Sequence, residues 1–161
     1  MSRITPCLWF DKQAEEAARF YTTLFPDSHI DEVSRAPGDN PSTQAGDVLL
    51  VWFTLAGTRF TAVNGGPQFP FTEAVSFQID CADQAEVDRY WEALIAGGGE
   101  PSMCGWLKDR YGLSWQVIPK QMGDYLGGPD AEGAARAMAA MLQMQKLDVE
   151  QLRLAYEGVA V

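Results

Sequence analysis

CGWLKDRYGLSWQVIP, residues 104–119, reads as a β-hairpin: an apolar strand, a polar turn ending in Gly112, and a second apolar strand. A fainter copy, VWFTLAGTRFTAV, lies at residues 51–63. Setting Gly57 on Gly112 places Phe60 on Trp115, Thr61 on Gln116 and Val51 on Trp106. The segments before the two hairpins align as well, at a shift of seventy positions: Arg19-Phe20-Tyr21 on Arg89-Tyr90-Trp91, and Leu24 on Leu94. Helix and hairpin recur in the same order, which points to an internal duplication.

Outward from the hairpins, each half reads as β-α-β-β-β. In the first, Thr5 to Phe10 is a short apolar strand. Ala14, Ala17, Ala18, Tyr21, Leu24 and Phe25 then fall on one helical face, and Pro26 stops that helix. Ile30 to Ser34 is a second strand, Ala36 to Gly46 a long exposed loop, and 48–55 with 59–64 the hairpin around Ala56-Gly57. In the second half, Ala74 to Asp80 is a strand. Asp83 and Glu86 form a capping-box pair ahead of the stripe Val87, Tyr90, Trp91, Leu94 and Ile95. Gly97-Gly98-Gly99 ends that helix, and strands follow at 101–104, 106–109 and 114–118. The expected fold class is α+β: one domain with module one at 1–66, a linker at 67–73, module two at 74–120 and a helical tail at 121–161. In the tail, Ala134, Ala135, Met138, Ala139 and Leu142 share a face suited to close helix packing, on the chain itself or on a second subunit. Met138, Met141 and Met144 read as adaptable packing. Asp148 caps a last helix, with Gln151 completing its capping box and Leu147 and Leu152 its staple.

The 161 residues are enough to bury a sizeable core, and 47% hydrophobic with 21% charged residues is an ordinary globular composition. A formal net charge of −10 argues against nucleic acid and against an anionic membrane surface as partners. No apolar run approaches the roughly 18 residues of a membrane span, and the start lacks the long apolar region of a signal peptide. Cys7, Cys81 and Cys104 include no CxxC pair and read as free, mostly buried thiols. The expected location is therefore the cytoplasm.

Candidate chemistry is sparse. Gly97 to Gly99 follows a helix, and Asn64-Gly65-Gly66-Pro67 leads into a linker. Neither surrounds a phosphate with helix N-terminal amides. His29 is the only histidine, too few for a site built from several imidazoles. Cys7 and Cys104 have no second histidine to activate them, and Asp109 sits in a hairpin turn, where Asp is commonly structural. The aromatic residues are more informative. Trp9, Trp52, Phe60, Phe77, Trp106 and Trp115 lie on expected strands, with Asn64 and Gln116 nearby. Trp106 and Lys108 share one strand face, and Trp115 and Val117 oppose Gln116 and Ile118. Aromatic walls with a few polar groups suit a small-molecule pocket, and equally the core between sheet and helices.

The duplicated halves resemble the vicinal-oxygen-chelate superfamily of glyoxalases, extradiol dioxygenases and bleomycin-resistance proteins. Within it, the chain resembles the PhnB-like branch labelled 3-demethylubiquinone-9 3-methyltransferase. The residues that carry the likeness are ITPCLWF at 4–10, EEAARFYTTLFPDS at 15–28, FTAVNGGPQFPFTEAVSFQIDC at 60–81, WEALIAGGG at 91–99, CGWLKDRYGLSWQVIPK at 104–120 and AMLQMQKLDVEQL at 140–152. The resemblance implies mixed sheets wrapped into a cup and paired subunits. It also implies metal ligands, in the metal-using relatives, at positions placed here on Pro6, Phe60 or Ala62, Ala74 and Gln116. Of these only Gln116 could touch a metal.

The resulting expectation is a homodimer without metal or other cofactor, binding a small aromatic or apolar ligand. Trp9, Trp52, Asn64, Trp106, Trp115 and Gln116 would line or border its cavity. Two alternatives differ in class. One is an isomerase, lyase or methyl transferase of the same superfamily, working through Cys7, Cys104 or Asp109. The other is an interaction protein that docks through its alanine-rich tail.

Overall fold

The computed structural model describes residues 3–159. The chain divides into two compact units, Met1–Phe71 and Thr72–Val161. Each is built around a four-stranded mixed sheet.

The first unit runs β1 (Cys7–Phe10), α1 (Ala14–Leu24), β2 (His29–Arg35), β3 (Val48–Leu55) and β4 (Thr58–Asn64). Its sheet order is β1-β4-β3-β2, with β1 parallel to β4 and the other neighbours antiparallel. The β3–β4 turn has positive φ at both Ala56 (45°) and Gly57 (77°), the backbone of a tight hairpin whose twist matches its strands. Strand alternation sends Leu8, Phe10, Val51, Phe53, Phe60 and Ala62 to the core side, all nearly or fully buried. The α1 face Ala14, Ala17, Ala18 and Tyr21, each fully buried, packs against that side. Because α1 is the single helix among this unit's described residues, no helix there covers the opposite sheet face.

Residues 65–71 wrap the edge strand β1. The Phe69 ring meets Trp9 edge-on at 5.0 Å, and Phe71 meets Phe10 at 5.2 Å. Trp9 and Phe10 point to opposite faces of β1, so the segment closes over both sides of a sheet edge that would otherwise offer unpaired backbone groups.

The second unit repeats the topology with β5 (Ser76–Cys81), α2 (Gln84–Ile95), β6 (Glu100–Pro101), β7 (Trp106–Lys108) and β8 (Ser114–Pro119). The sheet order β5-β8-β7-β6 copies the first, with β5 parallel to β8. Asp83 caps α2 by accepting from the Glu86 N–H at 3.0 Å, and the Glu86 carboxylate accepts from the Ala82 N–H at 2.8 Å. The α2 stripe Val87, Tyr90, Trp91 and Leu94 is buried, as its spacing requires. The strand expected at 101–104 shrinks to Glu100–Pro101. Cys104 (φ 58°) and Gly105 (φ 83°) turn the chain, and their N–H groups bond the carbonyls of Met144 (2.7 Å) and Gln145 (2.8 Å).

Three helices complete this unit: α3 (Met122–Leu126), α4 (Ala131–Met141) and α5 (Val149–Glu157). Ile118, Met144, Leu147 and Leu152 form their buried cluster, with Met122, Tyr125, Ala140 and Met141 packed around it. Asp148 caps α5 through the Gln151 N–H at 2.9 Å, and both staple residues, Leu147 and Leu152, are fully buried.

The face expected on α4 does not pack on the chain's own core. Gly133 and Ala137 are the buried positions, whereas Met138 and Leu142 are 49% and 53% exposed. Absence of a side chain decides the choice. A Cβ on Gly133 would stand 2.8 Å from the Tyr156 carbonyl oxygen, so only glycine lets α5 approach on that side. Arg136 then fixes the contact by donating to the carbonyls of Ala155 and Tyr156. Among the described residues, no helix is long and apolar enough to cross a membrane.

Candidate functional site

Each sheet has one face against α1 or α2. The opposite face is open in the first unit; in the second it is covered by the tail at Ile118 but open at Trp106 and Gln116. The pairing registers say what stands on these faces. In the first unit, Cys7 pairs with Thr61 and Thr61 with Trp52, while Trp9 pairs with Val63 and Val63 with Leu50. In the second, Gln78 pairs with Gln116 and Gln116 with Trp106, while Ser76 pairs with Ser114 and Ser114 with Lys108. Trp9, Trp52, Trp106 and Gln116, four of the six residues singled out from sequence, therefore stand half-exposed on open faces, two in each unit.

The other two point into the cores. Asn64 is 5% exposed. Its Oδ1 accepts from the Ala14 N–H at 2.9 Å, and its Nδ2 donates to the Val48 carbonyl at 2.9 Å. The α1 N-cap, Gln13, makes no side-chain cap, so Asn64 supplies from β4 an acceptor the helix start lacks. Trp115 is 4% exposed, tilted on Phe77 at 5.7 Å, and its Nε1 donates to Asp109 Oδ2 at 2.9 Å. Asp109 Oδ1 also accepts from Tyr111 N (2.8 Å) and Leu113 N (3.1 Å). This carboxylate is 2% exposed and ties together the hairpin turn. That is the turn role, and the geometry leaves no reactive oxygen facing solvent.

Trp9 is held from three sides. Its Nε1 donates to the Gly66 carbonyl at 2.8 Å, Phe69 abuts its ring, and a Cβ on Gly65 would fall 2.2 Å from Cζ2. The Asn64-Gly65-Gly66 run thus seats an indole and surrounds no phosphate. Gly65→Ala is expected to swing Trp9 out of its seat, costing about 2 kcal/mol and shifting its fluorescence. Urea unfolding with emission spectra checks both; an unshifted spectrum would contradict the seating.

The thiols differ from the buried set expected. Cys81 is buried, Cys104 half-buried and Cys7 exposed, because Cys7 alternates onto the open face of an edge strand. Burial, reinforced by Glu86 and Asp80, pushes the Cys81 thiol up to about 11. At pH 8 only about one Cys81 in a thousand is thiolate, so a disulfide reagent is expected to label Cys7 first and spare Cys81 until unfolding. The folded thiol also stays neutral where an unfolded one, near 9.0, ionises. Stability contributed by this group is therefore present below pH 9 and lost as pH rises towards 11, a slope that Cys81→Ala should remove from an alkaline denaturation series.

The positions expected for metal ligands are corrected by the registers. Phe60 and Ala62 face α1, and Ala74 precedes β5. Pro6 precedes β1, where its carbonyl accepts from the Thr61 N–H at 2.9 Å. The open-face positions equivalent in the two modules are Cys7 and Thr61 in one, Gln78 and Gln116 in the other. In neither unit do these positions carry an imidazole or a carboxylate, and neither a thiol with a hydroxyl nor a pair of carboxamides fits a Lewis-acid metal centre. His29 stands on β2, exposed, with its Nε2 3.1 Å from Asp31.

The matching family model is described as 3-demethylubiquinone-9 3-methyltransferase and covers residues 2–118. The chain belongs to this family. A solved relative, a putative 3-demethylubiquinone-9 3-methyltransferase (PhnB protein) of Bacillus cereus, is 35% identical with a TM-score of 0.66, covering 73% of this chain and 99% of the relative. Two more distant structures share the fold. A Pseudomonas aeruginosa protein is 22% identical with a TM-score of 0.59, covering 74% of this chain and 98% of its own. The fosfomycin resistance protein FosX of Mesorhizobium loti is 14% identical with a TM-score of 0.51, covering 72% and 89%. The fold is thus the duplicated βαβββ fold of the vicinal-oxygen-chelate superfamily. Curated proteins give no match. The family match stops before α3, so the likeness read at residues 140–152 lies outside it.

Sequence reasoning missed the polar company of Trp106 and Gln116. Gln116 Nε2 donates to Ser76 Oγ at 2.9 Å, and Lys108 pairs with Glu73. Alternation places Ser114 and Ser76 beside Gln116 once the β5–β8 register is known. That register links strands some forty residues apart, and the sequence signals only that both are strands.

Proposed function

We propose that this member of the family is a binding protein for a small, partly aromatic ligand, held on an open sheet face without a metal. The observation that carries the reading is the placement of half-exposed Trp9 and Trp52 on one such face and Trp106 with Gln116 on the other. Indole rings offer large, rigid stacking area, and a carboxamide beside them orients a polar substituent. Neither a metal nor an activated nucleophile enters, in keeping with the donors at Cys7 and Thr61 in one unit, at Gln78 and Gln116 in the other, and with the turn role of Asp109. Methyl transfer, named in the family's description, does not follow from the fold alone, since one fold serves many chemistries.

Titration with quinones, aromatic acids and amphiphilic drugs, followed by tryptophan emission and melting temperature, tests the reading. Saturable quenching with a raised Tm is expected for at least one class, weakened by Trp106→Leu or Trp52→Leu. No response from any class would overturn it.

A further inference from the structure

One buried hydroxyl, on the face of the second sheet opposite α2, has no partner. Ser114 is 1% exposed and its Oγ is buried without a hydrogen bond. Buried polar groups in native proteins are nearly always bonded, so an orphan calls for an explanation. Its direct cross-strand neighbours are Ser76 on β5 and Lys108 on β7. Ser76 Oγ accepts from Gln116 Nε2, which leaves its own hydroxyl hydrogen to donate. Lys108 offers an ammonium. Three groups able to donate therefore stand in one row across the sheet, and the anion beside them is the carboxylate of Glu73, paired with Lys108. That pair is open to solvent, with side-chain exposures of 61% for Glu73 and 36% for Lys108, and exposed pairs are weak and easily exchanged. The hydrogen bond from Lys108 holds the Glu73 carboxyl below its ordinary range, as an ion pair requires. Trp106 stands two residues from Lys108 on the same face, about 6.6 Å along the strand, which suits a carboxylate joined to a two-ring arene.

We propose that the row Ser76, Ser114 and Lys108 receives the carboxylate of an aromatic acid, whose rings lie on Trp106, and that Glu73 is the internal carboxylate it displaces. The proposal rests on the binding reading above and names its ligand class. The incoming carboxylate takes the place of Glu73 on Lys108, and Ser114 gains the acceptor it lacks.

Calorimetric titration of the full chain with 2-naphthoate and its neutral counterpart 2-naphthamide tests this. Wild type should bind the acid more tightly than the amide. Lys108→Met should weaken the acid about tenfold, the scale of a hydrogen bond to a charged group. Glu73→Gln should tighten the acid severalfold and leave the amide unchanged. Ser114→Ala should weaken the acid without lowering Tm, because it removes a hydroxyl that bonds nothing in the free protein; a hydroxyl with a structural role would lower Tm. Amide binding equal to acid binding overturns the carboxylate assignment and leaves the binding reading standing. So does acid binding indifferent to Lys108→Met and Ser114→Ala, or a Tm lost in Ser114→Ala. If neither arene binds, the inference falls, and the wider ligand screen decides the binding reading separately.

Discussion

Asp109→Ala is expected to destabilise the protein by about 3–5 kcal/mol, since buried donors left without an acceptor cost about 1–3 kcal/mol each. The carboxylate accepts from three donors, the N–H groups of Tyr111 and Leu113 and the indole of Trp115. Truncation strands all three where water reaches poorly, and the cost of an unmade buried hydrogen bond exceeds the gain of a made one. Asp109→Asn separates the contributions. Its amide oxygen can still serve the two backbone groups, but an NH2 then faces the Trp115 N–H, donor against donor. About half the loss should remain. Chemical denaturation of the three proteins checks the order wild type, Asn, Ala. If Asn were as stable as wild type, the Asp109–Trp115 bond would contribute nothing.

Gly105→Ala should cost about 3 kcal/mol, combining a strained backbone with a steric clash. Gly105 has φ 83°, and a Cβ there would stand 2.9 Å from the Val117 carbonyl oxygen and 3.0 Å from Leu147. The first is backbone and cannot rotate away. The second belongs to the cluster that holds the tail, and the Gly105 N–H itself bonds Gln145. Gly112 provides the control. Its φ is 84°, yet a Cβ there would meet nothing within 4 Å. Gly112→Ala should therefore lose only the conformational part, about 1–2 kcal/mol. Limited proteolysis should cut the tail after residue 121 faster in Gly105→Ala and not in Gly112→Ala. Equal melting temperatures for the two variants would show that the close approach of the tail to Gly105 contributes no stability.

These two expectations mark what was legible in the sequence. The Asp109 turn and the Gly112 hairpin are local, built from residues within a few positions of one another, so turn chemistry shows in the letters. The clasp between Gly105 and the tail joins segments about forty residues apart, and no spacing rule announces it. The same division runs through the site. Alternation put Trp106 with Lys108 on one face of its strand and Gln116 opposite Trp115 on the next, and the strand register set Trp106 beside Gln116. It could not say which face α2 covers, and that decides which side chains remain open. Asn64 read as a polar group near aromatics, but its amide caps a helix fifty residues earlier. Cys7 read as part of a buried strand, and its strand is an edge.

The duplication, the order β-α-β-β-β in each half, the hairpin turns and the caps at Asp83 and Asp148 follow from the residues alone. All of these depend on period, on glycine where φ must be positive, and on side chains that reach only a few residues along the chain. Long-range packing is what turns the Gly133 side of α4 towards α5, sets Asn64 and Trp115 in the cores, and leaves Ser114 with an unpaired hydroxyl between Ser76 and Lys108. The physical reason is common to all three. A buried polar or small residue takes its role from partners brought to it by strand pairing and helix packing, and those partners are distant in sequence.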